Sequence, residues 1–169
     1  EDGSSIFTVL EGQYIRFYDV VKKEFAGGRY KYDGSGVPIV KAYDGIVYIL
    51  HSGYVSVIDY ENNSEKNIDI SSLNINYLAD NFIVSKDGYI YIIESGRDYG
   101  KIFKIDAKGN KLWEETDFLG IAGDITEFEN GNIGIGVKIN TTEDEPDILL
   151  NILEAETGNL IKSIPAYAP

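Results

Sequence analysis

Short apolar runs separated by polar turns make up the whole chain, and three of the turns recur at a fixed distance. Asp44-Gly45, Asp87-Gly88 and Asn130-Gly131 lie 43 residues apart, from 44 to 87 and from 87 to 130. Each is followed by an apolar run: IVYIL over Ile46–Leu50, YIYII over Tyr89–Ile93 and NIGIGV over Asn132–Val137. β-Branched and aromatic residues in runs of this length, bounded by Gly, Asn and Asp, predict strands. The dipeptides suit two-residue hairpins in which both central residues take positive φ, a conformation that Asn, Asp and Gly tolerate best. A strand is therefore expected before each turn, within residues 37–43, 81–86 and 124–129. A third strand follows in each copy and ends on an acidic residue, Asp59, Asp106 or Glu154, and after another polar turn comes a fourth: NIDI, KLWEE and LIKSI.

Four short strands in about 43 residues match one blade of a propeller. The expected fold class is all-β, a β-propeller-like array of about four four-stranded antiparallel blades in a single domain, with repeats near 1–34, 35–76, 77–120 and 121–165. The first blade is incomplete: IFTVL, QYIRFYD and KKEF supply its second to fourth strands, and no run supplies the first. An unfinished blade leaves a row of backbone groups unpaired, so Ile6, Phe7, Thr8, Val9 and Leu10 are the candidate assembly edge. The tail from Pro165 to Pro169 reads as too proline-bounded to complete it. Helical periodicity is absent; only ISSLNINYLADN invites a single turn, with Asp69 or Ser71 as its cap, and its Asn content suits a loop equally well.

KIFKIDAKGNKLWEE and ILEAETGNLIKS resemble the repeat of quinoprotein-type (PQQ-like) β-propellers, roughly Ala-x-Asp-x-x-Thr-Gly-x-x-x-Trp. The matching positions are Asp106, Ala107, Gly109 and Trp113 in one copy and Glu154, Ala155, Thr157, Gly158 and Leu160 in the other. The resemblance implies blades locked to one another by the Trp and Gly of the repeat. It extends to enzymes using a quinone cofactor and to non-enzymatic scaffolds. The enzymes of that kind have about twice as many blades and commonly a vicinal disulfide, and this chain has no Cys, so the non-enzymatic branch is the one expected.

Charge and composition narrow the partners. Fifteen Lys and Arg against 28 Asp and Glu give a net charge of -13, which repels phosphate backbones, so neither nucleic acid nor anionic membrane is an expected partner. No apolar run is long enough for a membrane span and no leader is evident. The chain has no Met, which reads as processing or as a piece of a longer parent. With the polar Asn, Ser, Thr and Tyr usage, this places the chain as an extracellular or cell-surface module.

Candidate chemistry is sparse. His51, the single histidine, follows a strand and is expected on a solvent-facing turn; Ser52 and Asp59 would be its partners in a triad, but no nucleophile elbow surrounds the Ser. Asp124, Glu127 and Glu129, with Glu114, Glu115 and Asp117, read as solvated charge, and no catalytic residue is assigned. Glu143, Asp144, Glu145 and Asp147 offer hard oxygen ligands, with calcium as the candidate cation, though without the spacing of an EF-hand; no other cofactor is expected. Asn62 and Asn140 fit the N-glycosylation sequon. An aromatic ring with a phenol group suits sugar recognition, and Tyr30, Tyr32, Tyr60, Tyr77 and Tyr99 fall in or near turns. Together with Arg29, in the segment Gly27–Gly36, they are the candidate ligand-binding set. The expected function is a non-catalytic recognition or assembly module, binding a protein partner or itself through loops and the open edge; the alternative is a carbohydrate-binding propeller, with a polysaccharide-acting enzyme behind it.

Overall fold

The computed structural model describes residues 6–32, 38–75, 81–96, 99–116, 121–138 and 148–166. Its strands are β1 Ile6–Glu11, β2 Tyr14–Asp19, β3 Glu24–Lys31, β4 Ile39–Tyr43, β5 Ile46–Leu50, β6 Tyr54–Asp59, β7 Ser64–Asp69, β8 Asn81–Val84, β9 Ile90–Gly96, β10 Tyr99–Ile105, β11 Lys111–Glu115, β12 Ile121–Glu127, β13 Ile133–Lys138, β14 Ile148–Leu153 and β15 Leu160–Ala166. They form four antiparallel meanders, β1-β2-β3, β4-β5-β6-β7, β8-β9-β10-β11 and β12-β13-β14-β15. The all-β, propeller-type array stands as expected. The first sheet has three strands, and among the described residues none pairs with the free edge of β1.

The sheets gather into two compact units, residues 1–72 with the first two and 73–169 with the last two. Unit 1 has a core of Ile15, Phe17, Tyr30, Tyr32, Val47, Ile49, Ile58 and Tyr60, with Ala26 and Val40 against it. Unit 2 is built around Tyr91, Ile93, Ile102, Ala122, Ile125, Ile133, Ile135, Val137 and Leu153, with Ile83, Tyr89 and Trp113 packed on it. Each fully buried Ile or Phe contributes about 2 kcal/mol of transfer free energy, so these cores are the main term holding each pair of sheets together.

The recurring dipeptides solve the turn problem in two ways. Asp44 (φ 48°) and Gly45 (φ 73°) both sit in the left-handed region, the two-residue hairpin expected. The other two turns are wider. Ser85 N–H donates to Tyr89 O and Gly88 N–H to Ser85 O; Phe128 and Gly131 repeat the pattern with Asn132. Only the glycine takes positive φ there, 81° at Gly88 and 85° at Gly131. The expectation that both residues would do so is corrected: the one extra residue in each loop lets the strands rejoin through one left-handed position, which Gly fills without a Cβ penalty.

The acidic residue that ends each third strand also has a structural reason. Asp19 Oδ1 accepts the N–H groups of Val21 and Lys22, Asp59 Oδ1 that of Asn62, and Asp106 Oδ1 those of Lys108 and Asn110. Each carboxylate satisfies turn donors that no strand partner reaches. Of the two readings open for this stretch, the turn is the one formed: Asp69 Oδ1 accepts the Ser71 N–H at the start of a 3-10 turn over Ser71–Leu73. Pro165 and Ala166 continue β15 opposite Leu149 and Ile148, on an outer strand where a missing N–H costs no ladder bond.

Candidate functional site

Strand β10 carries a charged residue inside the apolar core. Ile102, Phe103 and Ile105 are fully buried, and among them Lys104 is only 6% exposed. Lys104 stands opposite Tyr91 on β9 and Trp113 on β11, on the face of the sheet that meets β12–β15. Its Nζ donates to Ala155 O at 2.7 Å and lies 4.1 Å from the centre of the Tyr89 ring and 5.6 Å from that of Tyr91. A buried ammonium needs such partners, because leaving water costs several kcal/mol that only a carbonyl dipole, ring faces and nearby carboxylates offset.

Trp113 and Gly158 form the joint beside it. The indole Nε1 donates to the same Ala155 O at 3.0 Å, and a Cβ on Gly158, at φ 79°, would come within 2.7 Å of the Trp113 ring. Only a bare glycine in the β14–β15 turn lets the ring lie flush against it. This is the Trp-to-Gly contact between blades that the repeat implied.

Where this joint meets the turns β8–β9 and β12–β13, a cleft of about 460 Å³ opens, lined by Tyr89, Tyr91, Lys104, Asp87, Glu127 and Glu156 together with Ser85, Lys86, Asn130, Asn132 and Glu154. Two of its carboxylates are engaged: Glu127 Oε2 accepts the Lys86 N–H at 3.0 Å and Glu154 Oε2 the Thr157 hydroxyl at 2.6 Å. Burial pushes the Lys104 ammonium below its ordinary value, and Glu156, Asp87 and Glu127 act in the opposite sense. Burial, with Glu127, Tyr89 and Asp87, pushes the Tyr91 phenol up to about 12. Tyr91 therefore stays a neutral donor at physiological pH, while Lys104 is a cation held at the edge of a negative cleft.

Among the described residues, the same position in unit 1 is filled by aromatic rings. Phe17 stands opposite Ala26 and two residues before Asp19, as Lys104 stands opposite Trp113 and two residues before Asp106. Tyr60 follows Asp59 as Ala155 follows Glu154. Phe17 is fully buried, with ring centres of Tyr30 and Tyr60 at 5.3 and 5.8 Å. Here the small residue is on the strand: a Cβ on Gly27 would lie 2.8 Å from Tyr60 O and from Tyr30 Oη.

Three of the candidate ligand-binding residues are therefore corrected. Tyr30, Tyr32 and Tyr60 are 5, 6 and 5% exposed: they lie next to turns along the chain, but the neighbouring sheet covers those turns. Gly27–Lys31 is strand and not loop, and 33–37 lie outside the described residues. Arg29 stays on the surface, paired with Glu11 at 2.7 Å and 5.0 Å from the Tyr14 ring centre. Tyr99 is half-buried, its hydroxyl donating to buried Glu94 at 3.4 Å. Arg29 belongs to unit 1 and Tyr99 to unit 2.

His51 is also corrected from a solvent-facing turn: it is 5% exposed, stacked on Tyr54 at 4.1 Å and 5.3 Å from Tyr32. Its Nε2 meets Ser56 Oγ at 3.1 Å, and Ser56 Oγ also reaches Asn67 Oδ1 at 3.0 Å. Asn62 lies on an exposed turn, its Nδ2 donating to Asp59 Oδ2 at 2.7 Å. The backbone of Ile6–Leu10 forms the first strand, as expected. Asn140, Glu143, Asp144, Glu145, Asp147 and Tyr77 lie outside the described residues. Among the described residues no three His, Asp or Glu side chains are grouped to hold a metal, and no helix is long and apolar enough to cross a membrane.

Sequence reasoning missed Lys104. The signal was a cation inside the run IFKI, whose other residues read apolar on both faces, which marks either an edge or a cation with a dedicated set of partners.

No family model and no curated protein matches the chain. Among solved structures it is similar to the dihydro-heme d1 dehydrogenase NirN in complex with DHE, at 16% identity and a TM-score of 0.64, over 97% of this chain and 35% of that one. The likeness supports the propeller-type fold. This chain spans 35% of that protein's length.

Proposed function

We propose that the chain is a non-catalytic recognition module of an exported or cell-surface protein, and that it holds its ligand in the cleft of unit 2. The observation that carries this reading is the contrast between two like joints. Phe17 and Tyr60 fill one, which shows that the fold closes this position readily; the other keeps a buried lysine and a cleft of about 460 Å³, within the range of ligand sites, about 300–1,000 Å³. Glu127 and Glu154 each already accept a hydrogen bond, from the Lys86 N–H and the Thr157 hydroxyl, so the cleft presents them as fixed acceptors. The test is binding to peptide and glycan arrays by the chain and by Lys104→Met. Binding that Lys104→Met abolishes and Arg29→Ala leaves intact supports the cleft, and binding that Lys104→Met leaves unchanged overturns it.

A second reading, self-association, is favoured by β1. The place that β4, β8 and β12 take in their sheets has no strand beside β1 among the described residues, and a strand from a second copy would satisfy its free N–H and C=O groups. Light scattering across concentrations tests it: a dimer lost on Val9→Pro supports strand addition, and a monomer throughout refutes it.

A further inference from the structure

Resting on the reading of the cleft as the binding site, we infer that its ligand is a neutral, hydroxyl-rich one, a hexose unit of a glycan. An ammonium has three N–H donors; at Lys104, Ala155 O takes one and the Tyr89 ring faces the group, so this lining residue retains donor capacity for a ligand oxygen. The lining also supplies acceptors: the exposed carboxylates of Asp87 and Glu156, and the amides of Asn130 and Asn132, which also donate. A sugar hydroxyl is donor and acceptor at once, so a lining that combines an ammonium, carboxylates and amides can satisfy both halves of its hydrogen bonding. The half-buried Tyr89 adds an apolar surface for ring C–H groups. A volume of about 460 Å³ has room for about two sugar rings.

Charge sets the selectivity. Asp87, Glu127, Glu154 and Glu156 face only Lys86 and Lys104 in the lining, on a chain of net charge -13. An anionic sugar would bring a like charge into this negative field, where repulsion is less screened than in bulk water. Neutral hexoses are accepted and uronic acids rejected.

The experiment is an array of neutral hexose oligosaccharides beside their uronic-acid counterparts, followed by titration calorimetry on the best neutral sugar. The neutral sugar binds at least tenfold more tightly than its uronate. Lys104→Met, its folding checked by circular dichroism, loses tenfold or more, the range for one hydrogen bond to a charged donor. Glu156→Gln, on an exposed turn, narrows the gap between neutral sugar and uronate, a readout that a purely structural role would not move. Uronates binding as well as neutral sugars, or a folded Lys104→Met with undiminished sugar affinity, overturns the inference. Binding of peptides alone, sensitive to Lys104→Met, removes the sugar and leaves the cleft reading standing; no ligand sensitive to that substitution on either array removes both.

Discussion

Units 1 and 2 join their sheets with the same geometry and opposite assignments of large and small. In unit 2 the outer strand β11 offers the knob, Trp113, and the turn of the next sheet offers the hole, Ala155 and Gly158. In unit 1 the strand offers the hole, Ala26 and Gly27, and the turn offers the knob, Tyr60. Close packing constrains the summed volume at a joint more than which side supplies it. The swap has a consequence one layer deeper. With Tyr60 turned inward, unit 1 closes over Phe17, an apolar floor; with Ala155 in that place, unit 2 leaves its carbonyl for both Lys104 and Trp113 and a cleft above the turn.

Exchanging the floors gives the largest expected effect. Phe17→Lys puts an ammonium among Tyr30, Tyr60 and apolar side chains, and unit 1 loses about 4 kcal/mol in a urea titration, the range for an uncompensated buried charge. Trp113→Ala removes a ring and its hydrogen bond and costs unit 2 about 3 kcal/mol. Next comes a pair of glycines. Gly158→Ala meets the Trp113 ring as well as an unfavourable φ and costs about 2 kcal/mol, whereas Gly45→Ala, with φ 73° and nothing within 4 Å of its Cβ, costs about 1 kcal/mol. Equal losses at the two glycines, read by thermal melting, would show that the indole contact adds nothing to the backbone term. Lys104→Met lies at the small end, within about 1 kcal/mol of the parent, because replacing a buried ion by an apolar side chain of similar length is close to neutral. A large loss of ligand binding with little loss of stability is the signature of a residue kept for recognition.

Acid sharpens the picture of the turns that flank both joints. Hydrogen bonds from the Lys22 backbone to Asp19 and from the side chains of Asn62 and Asn110 to Asp59 and Asp106 hold these carboxyls below their ordinary value of 3.8. Groups with a folded value below the unfolded one add stability above pH 3.8, and that stability is lost as the pH falls through their lowered values. The melting temperature should hold down to about pH 4 and fall below it, more gently in Asp59→Asn. A transition that is flat from pH 5 to 2 would contradict the role given to these carboxylates.

Much of this fold was legible in the sequence because it is local. The spacing of Asp44-Gly45, Asp87-Gly88 and Asn130-Gly131, and the carboxylate ending each third strand, are fixed by bonds within a few residues. The three-stranded first sheet followed from counting runs, and the Trp113–Gly158 contact from the resemblance of its repeat. What escaped depends on the neighbouring sheet. Tyr30, Tyr32, Tyr60 and His51 lie next to turns, and nothing in a single strand's pattern tells that another sheet covers them. The cleft escaped for the same reason: Glu127 reads as solvated charge until Lys86, Lys104 and Tyr91 are brought beside it from another sheet.

The central claim is that Lys104 is a desolvated ammonium held by Ala155 O and Tyr89 at the edge of an open cleft. The most direct measurement is a carbon NMR titration of the lysine side chains. One lysine Cε signal should titrate below the ordinary 10.5, be absent in Lys104→Met and shift on addition of ligand. All lysine signals titrating together at the ordinary value, none of them moved by ligand, would contradict it.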